Sequence, residues 1–200
     1  MLFRSGPGAR EIRVVSVLDH EDFARAWAGI AKAQARVLRL AHGPVVAVTV
    51  AGATQPVLAD DNPVRQQLLA ALRAQGDPHV QLRLLPMVPR HYRVGLKLRC
   101  DAAYERAQVL AGVEAALGRQ GDFTQRALGQ ALHASDVVAA AHAVPGVLAV
   151  DLDFLFIAGK PVSLQQTLRA ADTRVVAGQP LGAELLTLDP GPLVRLELMP

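Results

Sequence analysis

The chain has 200 residues, 51% of them hydrophobic and only 4% aromatic, and its formal net charge is +3 at pH 7. This length suffices for one domain or two small ones, with a core that Leu, Val and Ala must fill. The basic residues are scattered among acidic ones and are not clustered with stacking aromatics. We therefore expect a mixed surface and no nucleic-acid partner.

A single cysteine, Cys100, excludes an intrachain disulfide, and its place at the end of an alternating strand predicts a packed thiol. The N-terminal residues lack the apolar stretch of a signal peptide. No apolar run approaches the roughly 20 residues that cross a membrane. We therefore expect a chain that is synthesised and folded in the cytosol, without a membrane partner.

One sequence pattern occurs twice, about 117 positions apart. Asp19 and Asp136 each lie at the start of a short Ala-rich helix, for which each is the predicted N-cap. A glycine follows ten residues later, Gly29 or Gly146, and ends the helix. An apolar residue then begins an alternating strand. Two helix–turn–strand units of equal dimensions indicate a scaffold built from like modules.

The first half of the chain is predicted to contain seven elements in the order βαββαββ, or αββαββ without the first strand. Residues 1–10 are expected to be a flexible lead-in, because glycine, proline and arginine dominate them. The elements cover residues 11–18, 19–29, 31–40, 45–50, 63–76, 80–84 and 92–98. Asn62 followed by Pro63 predicts the start of the second helix, because proline is preset for the first helical position, and Gly76 ends that helix.

The second half begins with a long amphipathic helix over residues 102–117. Short helices are predicted at 128–132, 136–146 and 164–170, and strands at 147–154, 184–188 and 193–198. The last two strands flank Asp189–Pro190–Gly191–Pro192, which predicts a C-terminal hairpin. The expected fold class is α+β, with small helix-on-sheet modules at 11–101 and 102–200 and mixed or antiparallel strands.

Two groups of titratable residues are candidates for a reactive site. His20, Glu21 and Asp22 are adjacent on a helix and point in different directions, so helix capping explains them better than metal binding. His133, Ser135 and Asp136 resemble a Ser/His/Asp set in one line, but Ser135 and Asp136 suit the N-cap of a helix, and no nucleophile elbow accompanies them. A small hydrolase using His133 and Asp136 stays an alternative, as does a basic nucleic-acid-binding module.

Two further observations argue against a catalytic or cofactor-binding site. Asp151 and Asp153 alternate on an otherwise apolar strand, and period-two placement on a solvated face is the commoner cause of such a pair. No phosphate-binding glycine loop is present. We therefore predict no catalytic residue, no cofactor and no metal.

The order of several short motifs resembles baseplate J-like proteins, in the group described as putative baseplate assembly proteins. The motifs are residues 16–26 with 29–33, Asn62–Pro63 before a Leu-rich helix, 128–138 with 144–147, and 182–188. Members of that family are usually several times longer, and the resemblance is to their C-terminal part. Ala28 stands where the family usually has proline.

The resemblance implies a structural role in the wedge of a contractile phage tail or a phage-tail-like injection particle, without catalysis. Implied partners are other baseplate subunits of the wedge, the hub and the sheath-proximal region, with self-association also open. Large apolar side chains anchor protein interfaces, and each has an intrachain core role as its alternative. The predicted interface residues are Phe23, Trp27, Phe154, Phe156, Leu193 and Leu196.

Overall fold

The computed structural model describes residues 14–199, so the predicted lead-in at 1–10 lies outside the described residues. The helices are α1 (Val17–Arg25), α2 (Pro63–Gln75), α3 (Arg106–Gln120) and α4 (Ala134–His142). The strands are β1 (Ile30–Leu40), β2 (Gly43–Gly52), β3 (Gln81–Pro86), β4 (Val88–Cys100), β5 (Leu132–His133), β6 (Val147–Ile157), β7 (Thr167–Leu168), β8 (Arg174–Val176), β9 (Gln179–Leu181), β10 (Glu184–Leu188) and β11 (Arg195–Leu198). The predicted α+β fold class is confirmed.

The contacts divide the chain into two compact units. The first runs up to Pro86 and includes Val175–Gly182, and the second contains Met87–Arg174 and the segment from Ala183 onwards. The predicted boundary lies near residue 101, which puts β4 in the first module. In the structure β4 pairs with β6, β10 and β11, so the contacts assign it to the second unit.

The first unit is built on a three-stranded sheet in the order β1–β2–β3. An antiparallel hairpin joins β1 to β2 from Leu40 opposite Gly43, and β3 pairs parallel to β2. Helices α1 and α2 pack beside this sheet. The core they enclose is mostly small and aliphatic, as the composition predicts, with Leu68, Leu72 and Val48 fully buried.

Helix α2 has the predicted boundaries because local chemistry specifies both ends. The Asn62 side chain accepts a hydrogen bond from the Val64 amide, and Pro63 occupies the first helical position. Gly76 ends the helix, and its own amide still donates to the Leu72 carbonyl. These contacts follow from residues next to each other in sequence, so no tertiary information was needed to predict them.

The second unit is organised around β4, the longest strand. One edge of β4 pairs antiparallel with β6. On the other edge, the carbonyls of Tyr92, Val94 and Leu98 accept hydrogen bonds from the amides of residues 189, 194 and 199. Alternate residues of a strand turn their carbonyls to the same side, so β10 and β11 follow one another along a single edge. Helices α3 and α4 share the core beside this sheet.

The predicted C-terminal hairpin is wrong. Both β10 and β11 run parallel to β4, and neither pairs with the other. The turn residues between them do not reverse the chain. Pro190 and Pro192 have no amide proton to continue the ladder, so the chain leaves the edge of β4 there and rejoins it at Val194. The segment is one interrupted edge strand.

The repeated unit is confirmed, with each pair of boundaries 117 positions apart. In both copies a nine-residue helix ends at an alanine C-cap, and an eleven-residue strand follows. The turn between helix and strand contains Gly29 at φ +90° in the first copy and Gly146 at φ +88° in the second. Few residues other than glycine adopt such a φ, so the spacing of this glycine sets the turn.

The predicted N-caps of both repeated helices are wrong by three residues. The N-caps are Ser16 and His133, and Asp19 and Asp136 are the third helical residues. The Asp19 carboxylate accepts from the Ser16 amide at 2.7 Å and also from the Val15 amide. These hydrogen bonds, the one from Ser16 first, lower the pKa of Asp19. The reciprocal bond runs from the Asp19 amide to Ser16 Oγ, which completes a capping box.

Four other predicted elements differ. The strand predicted at 11–18 is reduced to a single bridge at Val14 in its described part, because the capping box starts α1 at Val17. Helix α3 begins at Arg106, because Asp101 organises a turn before it. The helices predicted at 128–132 and 164–170 are replaced by turns and by the short strands β5 and β7, which pair with each other. At both positions the pairing of β5 with β7, two segments far apart in sequence, takes the place of the predicted helix.

Replacing Ser16 by alanine tests the capping box. We expect Ser16→Ala to lower the free energy of unfolding by about 1 kcal/mol, because Asp19 loses its reciprocal partner and an amide at the helix start loses its acceptor. The matched control is Ser135→Ala, an exposed position one residue into α4, where the change should stay within about 0.5 kcal/mol. Urea denaturation measures both, and equal effects would contradict the capping role.

Candidate interaction surface on the second unit

The second-unit sheet presents two chemically different faces. Tyr92, Val94, Leu96 and Leu98 of β4 are buried in the core on the helix side. The alternate residues of β4 turn to the opposite side, here called the polar face. They are Arg93, Gly95, Lys97 and Arg99. This alternation is the one the sequence predicted for β4.

The polar face carries an ordered group of charges, here called the Asp153 cluster: Lys97, Asp153, Phe154, Arg195 and Glu197. The Asp153 carboxylate lies 3.2 Å from Lys97 Nζ and 3.0 Å from Arg195 Nη1. The Arg195 guanidinium also lies 3.6 Å from Glu197 and 5.5 Å from the centre of the Phe154 ring. The hydrogen bond from Arg195, followed by the one from Lys97, lowers the pKa of Asp153.

Gly95 allows Phe154 and Arg195 to meet over the sheet. A β-carbon at residue 95 would lie 2.8 Å from Phe154 Cδ2 and 3.1 Å from Arg195 Cβ. The first distance is shorter than a van der Waals contact, and the neighbouring atoms belong to a ring and to a backbone-proximal carbon. The absence of a side chain at Gly95 therefore permits the stacking of the guanidinium against the ring.

A β-bulge explains why Asp153 differs from Asp151. Phe154 pairs with Gly95 and Leu152 pairs with Leu96, so Asp153 is the extra residue. Asp151 is exposed, as period-two alternation predicts. The Asp153 side chain is only 15% exposed and is held by two cations. The interpretation of both aspartates as solvated surface residues is therefore wrong for Asp153, and no sequence signal marks the bulge.

The six predicted interface residues lie in different environments. Phe23 and Trp27 pack partly buried against the core of the first unit, with ring centres 5.8 Å apart. In the second unit, Phe154 belongs to the Asp153 cluster and Phe156 is buried. The remaining two, which the sequence placed on a hairpin, pack partly buried against the core of that unit: Leu193 and Leu196. An interface role for these residues stays a prediction.

The residues of the hydrolase alternative make capping and pairing contacts. The Asp136 carboxylate accepts the backbone amide of His133 at 3.1 Å, and the His133 ring lies 3.1 Å from Thr167 Oγ1. Beside them, Arg126 is buried and its guanidinium donates to the carbonyls of residues 186, 130 and 131. Desolvation lowers the pKa of Arg126 despite the nearby Tyr92 and Asp136. These contacts hold loops and a helix end in place.

The residues weighed for metal binding also point apart. His20 is buried, and its Nδ1 lies 2.7 Å from the Ser16 carbonyl oxygen. Glu21 binds Arg25 at 2.5 Å and the Ala35 amide at 3.0 Å. Within residues 14–199, no three histidine, cysteine, aspartate or glutamate side chains gather as a metal site would require. Over the same range, the helices lack the combined length and hydropathy needed to cross a bilayer.

Comparison with known families finds a similarity in the first unit. The family model of the baseplate J-like central domain matches residues 12–85. This stretch of the chain is therefore similar in sequence to the central domain of baseplate J-like proteins. The matched range contains α1, α2 and the three-stranded sheet, together with the motifs at 16–33 and at Asn62–Pro63 on which the resemblance was drawn. The resemblance to the baseplate J-like family is confirmed.

The fold of the chain also occurs in a solved assembly. A chain in the cryo-EM structure of the anti-feeding prophage (AFP) baseplate, six-fold symmetrised, matches with a TM-score of 0.60 and 11% identity. The match covers 90% of the present chain and 39% of that chain. At this identity the likeness shows a shared fold, and the present chain spans well under half the length of its structural relative. No curated protein matches.

A methyl group at Gly95 tests the packing of the Asp153 cluster. We expect Gly95→Ala to lower the free energy of unfolding by about 1–3 kcal/mol, because Phe154 and Arg195 must move apart. Gly118→Ala is the matched control, because a β-carbon there meets no atom within 4 Å. In helix α3 that control should raise stability by about 0.5 kcal/mol. Chemical denaturation monitored by circular dichroism measures both, and a neutral Gly95→Ala would contradict the close packing.

Removing Arg195 tests the electrostatics of the same cluster. Because the folded-state pKa of Asp153 is lowered, its ion pairs stabilise the protein above the ordinary carboxyl pKa and are lost as the pH falls through the folded-state value. We expect Arg195→Met to raise the pKa of Asp153 and to reduce the loss of stability on acidification. Carboxyl-detected NMR titration measures the shift. Glu197→Gln, which contacts Arg195 but not Asp153, should change that pKa less.

Proposed function

We propose that this chain is a structural component of a contractile-tail baseplate, in the wedge, and that it acts by protein–protein assembly and not by catalysis. The observation that carries the proposal is the match of residues 12–85 to the baseplate J-like central domain. The likeness of fold to a chain of the anti-feeding prophage baseplate supports it over most of the remaining length.

The chemistry of the surfaces supports assembly. Apolar side chains stand exposed on strands and loops, among them Val37, Leu148 and Leu164. The Asp153 cluster presents paired charges and a half-buried aromatic ring on the polar face of the sheet. Interfaces commonly combine an apolar anchor with a polar surround whose charges set orientation. We propose Phe154, in contact with Arg195, as the anchor on this face.

The proposed partners are other baseplate subunits of the wedge, the hub and the sheath-proximal region. Self-association is a further possibility within the same role. The chain would assemble in the cytoplasm and then become part of a phage tail or tail-like particle. These proposed partners follow from the family resemblance and not from a contact in the structure. The chain spans only part of the length of its structural relative.

Particle assembly in the native host tests the proposal. We expect a strain without this protein to produce no complete particles by electron microscopy, and wild-type protein to restore them. His133→Ala should restore particles equally, because the hydrolase alternative needs that ring and assembly does not. Phe154→Asp should restore them poorly while the purified protein keeps its circular dichroism spectrum. Normal particles in the strain without the protein would refute the baseplate role.

A further inference from the structure

The two repeated units differ in how their strand edges are closed. In the first copy, the outer edge of β1 meets two charged side chains from α1. The Ala35 amide donates to Glu21 Oε2 at 3.0 Å, and the Ala33 carbonyl accepts from Arg25 at 3.5 Å. Glu21 and Arg25 also pair with each other at 2.5 Å. An acceptor and a donor therefore occupy this edge where another strand would pair.

The second copy has the same geometry without those charges. With the repeat offset of 117 positions, Val150 and Leu152 of β6 correspond to Ala33 and Ala35 of β1. Val138 and His142 of α4 correspond to Glu21 and Arg25. Valine has no polar group to offer a backbone amide. Across residues 14–199, neither Val138 nor His142 makes a side-chain hydrogen bond to β6.

The register shows which backbone groups this leaves open. The His91 carbonyl accepts from the Ala158 amide, so odd-numbered residues of β4 turn toward β6. Their partners Ala149 and Asp151 turn toward β4, so Val150 between them turns outward, as does Leu152, the partner of Leu96. Leu148 is the extra residue of a second bulge at the start of this stretch. Among the residues that the structure describes, no strand pairs with this part of β6.

Further along, the same edge is closed by the chain itself. The Leu155 amide donates to the Ser163 carbonyl, and the Leu155 carbonyl accepts from the Gln165 amide, both at 3.0 Å. The open stretch therefore has defined ends. Leu148, 51% exposed, lies at one end, and Leu164, 47% exposed, lies beside Leu155 at the other.

The charge of the edge indicates what would pair with it. Asp151 is exposed on the polar face and makes no ion pair within the described part of the chain. If a second copy paired antiparallel about Val150, its Asp151 would become a diagonal neighbour of the first Asp151 on one face, which is unfavourable. A matching strand would place a basic residue beside Asp151 on the polar face and apolar residues on the opposite face of the sheet. It would then complement both faces of the sheet at this edge.

We propose that the outer edge of β6 over Leu148–Leu152 accepts an extended segment of another polypeptide, in which apolar residues alternate with basic ones. Its backbone would extend the second-unit sheet, and its basic side chains would meet Asp151. The proposal names one contact surface for the assembly role proposed above and rests on that role for the source of the segment.

A synthetic probe tests the edge directly. The probe is a capped seven-residue peptide of alternating valine and lysine with a threonine at each end, and its control has glutamate in place of lysine. We expect the lysine peptide to shift the amide NMR signals of Leu148, Val150 and Leu152 and to bind about tenfold more tightly than the control. Asp151→Asn should reduce that preference.

Transplanting the charged pair provides the decisive variant. Val138→Glu with His142→Arg places the groups of Glu21 and Arg25 beside β6, and should weaken peptide binding by about tenfold or more. The matched control reverses the pair, Val138→Arg with His142→Glu, and puts a donor where the Leu152 amide needs an acceptor. We expect this reversed pair to weaken binding less. Circular dichroism checks that both variants fold.

Several outcomes would overturn the proposal. They are no binding of either peptide, equal binding of both, signal changes away from β6, or unchanged binding after the Val138→Glu, His142→Arg transplant. Dimers through this edge in sedimentation experiments would make a second copy the occupant and would also refute it. Peptide binding does not depend on particles, so a strain that assembles without the protein refutes the baseplate role alone.

Discussion

The second unit depends on the pairing of β4 along both of its edges. This strand holds β6 on one side and the interrupted strand of β10 and β11 on the other, and its buried residues form the middle of the core. The polar face exists because the same strand alternates small and charged residues toward the other side. A single central strand thus positions the core, the Asp153 cluster and the paired edge of β6.

The helix–glycine–strand unit occurs once in each of the two larger sheets, with the same lengths of helix and strand. In both copies an aspartate at the third helical position accepts the N-cap amide, and the turn after the helix contains a glycine with positive φ. Their strands are edges in both sheets, but their helices offer different side chains to that edge. Local backbone geometry is therefore repeated, while the surface that each unit presents is set by two helix positions.

Features encoded by neighbouring residues could be predicted from the sequence. The boundaries of α2 and the repeat itself belong to this class, because caps, turns and glycines act over a few residues. The C-terminal hairpin could not be excluded, because parallel pairing with β4 depends on residues about a hundred positions away. Asp153 was missed for the same reason, since a bulge exists only relative to a partner strand.

The two prolines between β10 and β11 divide the pairing of this segment with β4 into two separate ladders. Each strand holds its own stretch of β4, residues 88–92 for β10 and 95–98 for β11, and the residues between them share only isolated hydrogen bonds with that edge. A break in one ladder therefore need not propagate into the other. Release of β11 would expose the edge of β4 over residues 95–98 while β10 stays paired with residues 88–92.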